Sequence, residues 1–119
     1  MRVSQVVLTV GLEPILLKSR CEVLRSVGYR VIAAGSPEEA ADRFLQEKID
    51  LVLLCHTVPS VAKQRLVRRL RDHASQTPII SVGSHTGQID EFVDATVDSD
   101  PKILLAEVQE LLQKHSKTS

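Results

Sequence analysis

A single α/β domain is the fold class this sequence predicts: a doubly wound, five-stranded parallel sheet of order 2-1-3-4-5 with helices on both faces. Three observations predict it. Short apolar runs alternate with helical patterns five times, the signature of βα units around a parallel sheet. Leu51-Val52-Leu53-Leu54 is apolar without alternation, as a central strand covered on both faces must be. The chain has 119 residues, enough for one core and too few for two. With right-handed crossovers the natural arrangement is a (βα)5 three-layer sandwich. It is read as one domain over 1–119, with its core at 4–114 and a flexible tail at 115–119.

The elements follow in order. Val6–Val10 is a β-rich run that stops at Gly11. Glu13-Pro14 opens a helix, since proline suits the first turn and a carboxylate suits the positive helix end. Leu17, Cys21 and Leu24 share one face of it, and Gly28 ends it as a left-handed cap residue. Tyr29–Ala33 is the second strand. Ser36-Pro37-Glu38-Glu39 then starts a helix with an N-cap, a proline at the first position and a capping box closed by Glu39. That helix is expected to bury Ala40, Ala41, Phe44 and Leu45. After the central strand, a third helix spans about Val61–Ala74 with an inward stripe of Leu66, Val67 and Leu70, and Ser60 is its expected cap. Pro78–Val82 is the fourth strand. Gly87–Val93 is expected to make a short helix with Ile89 and Phe92 inward. Ala95–Val97 is the fifth strand, and Asp100-Pro101 caps a last helix that buries Leu104, Val108, Leu111 and Leu112.

Composition excludes several classes of function. Net charge is zero, with 15 Lys and Arg against 15 Asp and Glu, so neither nucleic acid nor a membrane surface is attracted in bulk. Aromatic residues are 3% of the chain and Trp is absent, which leaves no stacking platform for single-stranded nucleic acid. No apolar run approaches a membrane span, and no signal peptide is evident. Two cysteines in apolar contexts, Cys21 and Cys55, imply no disulfide framework and fit a reduced, cytoplasmic setting. The short tail after the last helix leads us to expect no attached DNA-binding output domain.

Over nearly its whole length the chain resembles the receiver domain of bacterial response regulators, CheY-like and flavodoxin-like in strand order. The resemblance rests on Glu13-Pro14, Gly28-Tyr29, Ser36-Pro37-Glu38-Glu39-Ala40, Asp50-Leu51-Val52-Leu53-Leu54 with Pro59 beyond it, Pro78-Ile79-Ile80 and Asp100-Pro101. It implies a role in two-component phosphorelay signalling. In that family, carboxylates at the strand ends hold Mg2+, a strand-three Asp takes a phosphoryl group, and a Thr or Ser and a Lys contact it. Matched position by position, this chain departs from the pattern. The acidic pair falls on Gly11 and Leu12, with Glu13 the remaining carboxylate. The phospho-acceptor falls on Cys55, the Thr/Ser on Gly83, the Lys on Val97 and the switch aromatic on Asp94. The resemblance therefore implies a degenerate pseudo-receiver that neither transfers phosphate nor acts as an enzyme, holds no metal or cofactor, and binds another protein such as a kinase or output protein.

Three other features carry candidate chemistry. Cys55 and His56, with His85 after strand four, form a candidate redox or soft-metal group; the plainer reading is a buried thiol closing a strand and an exposed imidazole in a loop. The loop Gly83–Gly87 is polar but matches no phosphate-binding motif. Lys63, Arg65, Arg68, Arg69 and Arg71 make the third helix basic, whereas Asp90, Glu91 and Asp94 lie in an acidic region. Each is a candidate docking face, and the region 86–114 is a candidate homodimer surface.

Overall fold

Hydrogen bonding joins five parallel strands in the order β2-β1-β3-β4-β5, which is the predicted sheet. The computed structural model describes residues 5–74, 76–83 and 93–117. Its strands are β1 (Val6–Val10), β2 (Arg30–Ala34), β3 (Leu51–Leu54), β4 (Ile79–Val82) and β5 (Ala95–Val97). Its helices among the described residues are α1 (Pro14–Ser26), α2 (Pro37–Gln46), α3 (Ser60–His73) and α4 (Pro101–Lys117). The expected short helix at 87–93 falls almost wholly outside the described residues. Helix α4 continues to Lys117, past the boundary at 115 expected for a flexible tail.

Both faces of the sheet are covered, so the aliphatic core divides in two. Leu8, Val10, Val52, Leu54 and Ile79 pack against Ala40, Ala41 and Phe44 of α2 and Leu66, Val67 and Leu70 of α3. Val7, Leu51, Leu53, Ile80 and Val82 face the opposite way, against Leu17, Cys21 and Leu24 of α1 and Leu104, Val108 and Leu112 of α4. Alternate residues of each strand thus serve opposite layers, as the pleat requires. All four residues of β3 are fully buried, which is why its sequence shows no polar alternation.

Helix ends agree with the sequence chemistry at most positions. Glu13 caps α1, its carboxylate accepting from the Ile15 and Leu16 amides at 3.3 and 2.7 Å. At the other end Gly28 has φ +100. The Gly28 N–H donates to Arg25 O at 3.0 Å and the Tyr29 N–H to Leu24 O at 3.4 Å. This is the paired 5→2 and 6→1 bonding of a Schellman motif. The Ser36 hydroxyl accepts from the Glu39 amide at 3.1 Å. The Glu39 carboxylate accepts from Gly35 N at 2.7 Å, one residue before the cap where a standard capping box would place it.

Two expectations are corrected. Leu45 is exposed, because Ala40, Ala41 and Phe44 already define the inward face of α2 and Leu45 turns away from it. Ser60 does not cap α3: it is the first helical residue, the N-cap is Pro59, and no side chain caps this end. Asp100 does act at the start of α4, where its Oδ1 accepts from Lys102 N at 2.9 Å.

Candidate functional site

Parallel registration brings the carboxyl ends of the central strands level with one another. Val10 of β1 pairs with both Ala34 of β2 and Leu54 of β3. Gly11 N donates to Ala34 O at 3.1 Å, Cys55 N to Val10 O at 2.8 Å, and Gly83 N to Val97 O at 2.7 Å. Gly11, Cys55, Gly83 and Val97 therefore stand along one rim. Such a rim is where open α/β sheets place their ligands.

Gly11 and Cys55 are in intimate contact. A Cβ added at Gly11 would lie 3.2 Å from both Cβ and Sγ of Cys55 and 3.5 Å from Thr57 Oγ1. The thiol thus fills the room a side chain at position 11 would need. Thr57 ties the two loops together, its hydroxyl accepting from Leu12 N at 3.1 Å. Leu12 itself is exposed, and the Glu13 carboxylate is turned back to its own helix. None of the three positions after β1 directs a free carboxylate across the rim.

Two buried cations stand near the thiol. Arg20 of α1 and Lys63 of α3 are each only 7% exposed. Lys63 Nζ donates to the buried Ser81 hydroxyl at 3.2 Å. Burial raises the Cys55 thiol from its ordinary 9.0 to about 11; the positive charges of Arg20 and Lys63 oppose that shift without overcoming it. His56 is exposed, and its imidazole is held below its ordinary value by desolvation, then by Arg20 and Lys63. At neutral pH the thiol is protonated and a poor nucleophile. We expect thiol reagents to modify Cys55 far more slowly than a cysteine in the unfolded chain, with the native rate rising only toward pH 11. Between about pH 9 and about pH 11 the unfolded thiol is deprotonated while the native one keeps its proton, so this group's contribution to stability falls across that window. Stopped-flow thiol titration against pH checks the first statement: fast modification at pH 7 would identify an activated cysteine.

Similarity to solved structures places the fold. No protein-family model matches the chain. A solved response-regulator receiver domain protein (CheY-like) from Methanospirillum hungatei superimposes with a TM-score of 0.85 at 21% identity, covering 98% of this chain and 100% of that one. This is the receiver fold. The response regulator TrrA of Thermotoga maritima, solved in complex with Mg2+-BeF, has the receiver fold at a TM-score of 0.77 and 25% identity, covering 90% and 98% of the two chains. The transcriptional regulatory protein YxdJ of Bacillus subtilis is 34% identical over 70 residues, 59% of this chain, and this chain spans 30% of that relative's length.

The resemblance of this receiver fold to its family implies a divalent metal at the rim, and the residues present do not fit one. Mg2+ demands hard oxygen ligands, whereas the rim offers a protonated thiol, a glycine, an engaged Glu13 and two buried cations. Among the described residues no group of three or more His, Cys, Asp and Glu is arranged to hold a metal ion. For the soft-metal or redox reading, Cys55 and His56 adjoin each other in sequence, while His85 lies outside the described residues.

The candidate docking residues separate into two sets. Arg65, Arg68 and Arg69 are exposed on α3. Lys63 is not on that face: it points inward to Ser81, correcting the expectation that all five cations form one surface. Arg71 is half-buried and bonds Asp94 Oδ2 at 3.1 Å, so the basic helix and the acidic region meet within one molecule. The same Asp94 oxygen accepts from Ile79 N at 2.7 Å, which gives Asp94 a structural task at the start of β4. Asp90 and Glu91 lie outside the described residues. Sequence reasoning passed over Arg20. Its signal was spacing: Leu17, Arg20, Cys21 and Leu24 recur as one helical face, and the same rule puts Lys63 with Leu66, Val67 and Leu70.

Proposed function

We propose that this chain is a receiver-type module of two-component signalling that acts through protein contacts, without aspartyl phosphorylation and without catalysis of its own. The observation that carries this reading is the packing of Cys55 against Gly11, with Lys63 and Arg20 buried beside it. An acceptor carboxylate, its partner acids and their metal are replaced there by a neutral thiol and fixed positive charge. A protein partner, such as a kinase or output protein, is then recognised by surface. Exposed Arg65, Arg68 and Arg69 suit an acidic patch, and charge of this kind sets on-rate and partner choice. The region 86–114, of which 93–114 is described, is the homodimer surface in this proposal. A cytoplasmic location accords with it, and no described helix is long and apolar enough to cross a membrane.

Incubation with acetyl phosphate and Mg2+, followed by intact-mass measurement, tests the reading. The expected spectrum shows the unmodified chain, and the melting temperature with beryllofluoride is expected to be the same with and without Mg2+. A covalent phosphoryl adduct that requires Mg2+ would sink the proposal.

A further inference from the structure

Beside the Cys55 rim lies a cavity of about 370 Å3 between α1 and the start of α4. Ser19 and Arg20 line it from α1, His56 and Gly83 from the strand ends, and Ser99 from the turn before α4. Arg20 is the unusual member. It is 7% exposed, and its Nε is fully enclosed with no hydrogen-bond partner. The Cys55 thiol is a polar neighbour, and no carboxylate pairs with Arg20 among the described residues. Buried polar groups are almost always satisfied, and a buried charge without a counterion is strongly disfavoured. Nε itself is closed off from the cavity, but a buried guanidinium that has the Cys55 thiol beside it and no carboxylate partner among the described residues, in a residue that lines a cavity, calls for an anion on the cavity side.

We propose that this cavity is a metal-free binding site for a small multivalent oxyanion of the phosphate class, held by the Arg20 guanidinium with His56 beside it. The chemistry is complementary. A guanidinium matches two oxygens of a tetrahedral anion in a forked pair of charge-assisted bonds. The Ser19 and Ser99 hydroxyls on the wall are further donors of the kind such an anion uses. Lys63, buried behind the rim, adds positive potential although its own Nζ is engaged by Ser81. Neither acid at the α4 end lines the cavity: Asp100 Oδ1 accepts from Lys102 N, and Asp98 Oδ1 accepts from Asp100 N. The site does not depend on the protein-contact reading above, because it requires neither Mg2+ nor a covalent step.

Calorimetric titration of the full chain with inorganic phosphate, in chelator and at low salt, tests it. Phenyl phosphate and chloride serve as parallel titrants. Saturable phosphate binding is expected, with chloride far weaker. Arg20→Met should weaken phosphate at least about tenfold, the loss of one or two charge-assisted bonds, and Arg20→Lys should fall between. Tighter binding of phenyl phosphate marks an esterified phosphate as the natural ligand, and tighter inorganic phosphate marks the free ion; either order upholds the site. Amide shifts in the wild-type chain need no variant. They should move at Ser19, Arg20, His56 and Ser99, and the His56 imidazole pKa should rise as the anion offsets its cationic neighbours. Absence of saturable phosphate binding, binding that Arg20→Met leaves intact, or shifts confined to other surfaces would overturn the proposal. Intact mass separates this outcome from phosphoryl transfer, since the bound anion adds no covalent mass.

Discussion

Leu53→Ala is expected to cost about 2–5 kcal/mol, the range for emptying a fully enclosed leucine site. Leu53 is fully buried in β3, paired in register with Thr9 on one side and Ile80 on the other. It points into the layer that α1 and α4 close. Because strands flank β3 on both sides and helices cover both faces, little around it can collapse into the space left behind, which favours the upper part of the range. Domains of this size hold about 5–15 kcal/mol of stability in all, so the variant should melt roughly 10–20 °C lower and unfold at much lower urea. Leu45→Ala is the matching control. Leu45 is 50% exposed on α2, and its truncation should stay within about 0.5 kcal/mol. Urea denaturation followed by circular dichroism measures both, and equal losses at the two positions would contradict the layering described above.

That contrast also shows what periodicity can and cannot reveal. Leu51–Leu54 is legible as a central strand because no position on it tolerates water, and Gly28 is legible as a helix stop because its φ of +100 suits glycine. Leu45 was misassigned because it sits next to Phe44 at the margin of a helical stripe, where a hundred degrees of rotation separates buried from exposed. Ser60 was misread because a serine after a proline has the composition of a cap, while the proline's own extended backbone already ends the loop. The rim positions were legible from strand order alone, since parallel registration makes strand ends neighbours. Less legible was the burial of two cations near the rim. Arg20 and Lys63 lie on apolar faces at helical spacing, but an amphipathic stem can carry such a head group out to water. Whether it does so depends on what stands above it, and here that is the strand-end rim. The Arg71–Asp94 pair belongs to the same class, because a contact across 23 residues follows from the start of β5 being hydrogen-bonded to the start of β4 beside α3, rather than from either segment.

Gly11→Asp, which puts an acid where the resemblance to receivers leads one to expect it, is expected to destabilise the domain by about 1–3 kcal/mol or more rather than to create a metal site. Its Cβ would lie 3.2 Å from two atoms of Cys55, and both residues are anchored by backbone bonds to neighbouring strands, Gly11 to Ala34 and Cys55 to Val10. Neither can yield without disturbing the sheet. The new carboxylate would lose hydration there, a cost that the positive charges of Arg20 and Lys63 near Cys55 offset in part, so the steric clash sets the sign. Cys55→Ala removes Sγ, one of the two atoms that obstruct position 11. The double variant should therefore recover part of the loss, with a coupling of about 0.5–3 kcal/mol, whereas distant positions would add independently. Denaturant unfolding of the two single variants and the double variant yields that coupling directly. Additive losses would mean that Gly11 and Cys55 do not share space. Mg2+ is expected to leave the melting temperature of Gly11→Asp unchanged, because one acid beside Arg20 and Lys63 is far from the oxygen-rich cluster that the ion requires. If the coupling is found, the glycine and the cysteine form one packed unit, and building a metal site at this rim would require several substitutions at once.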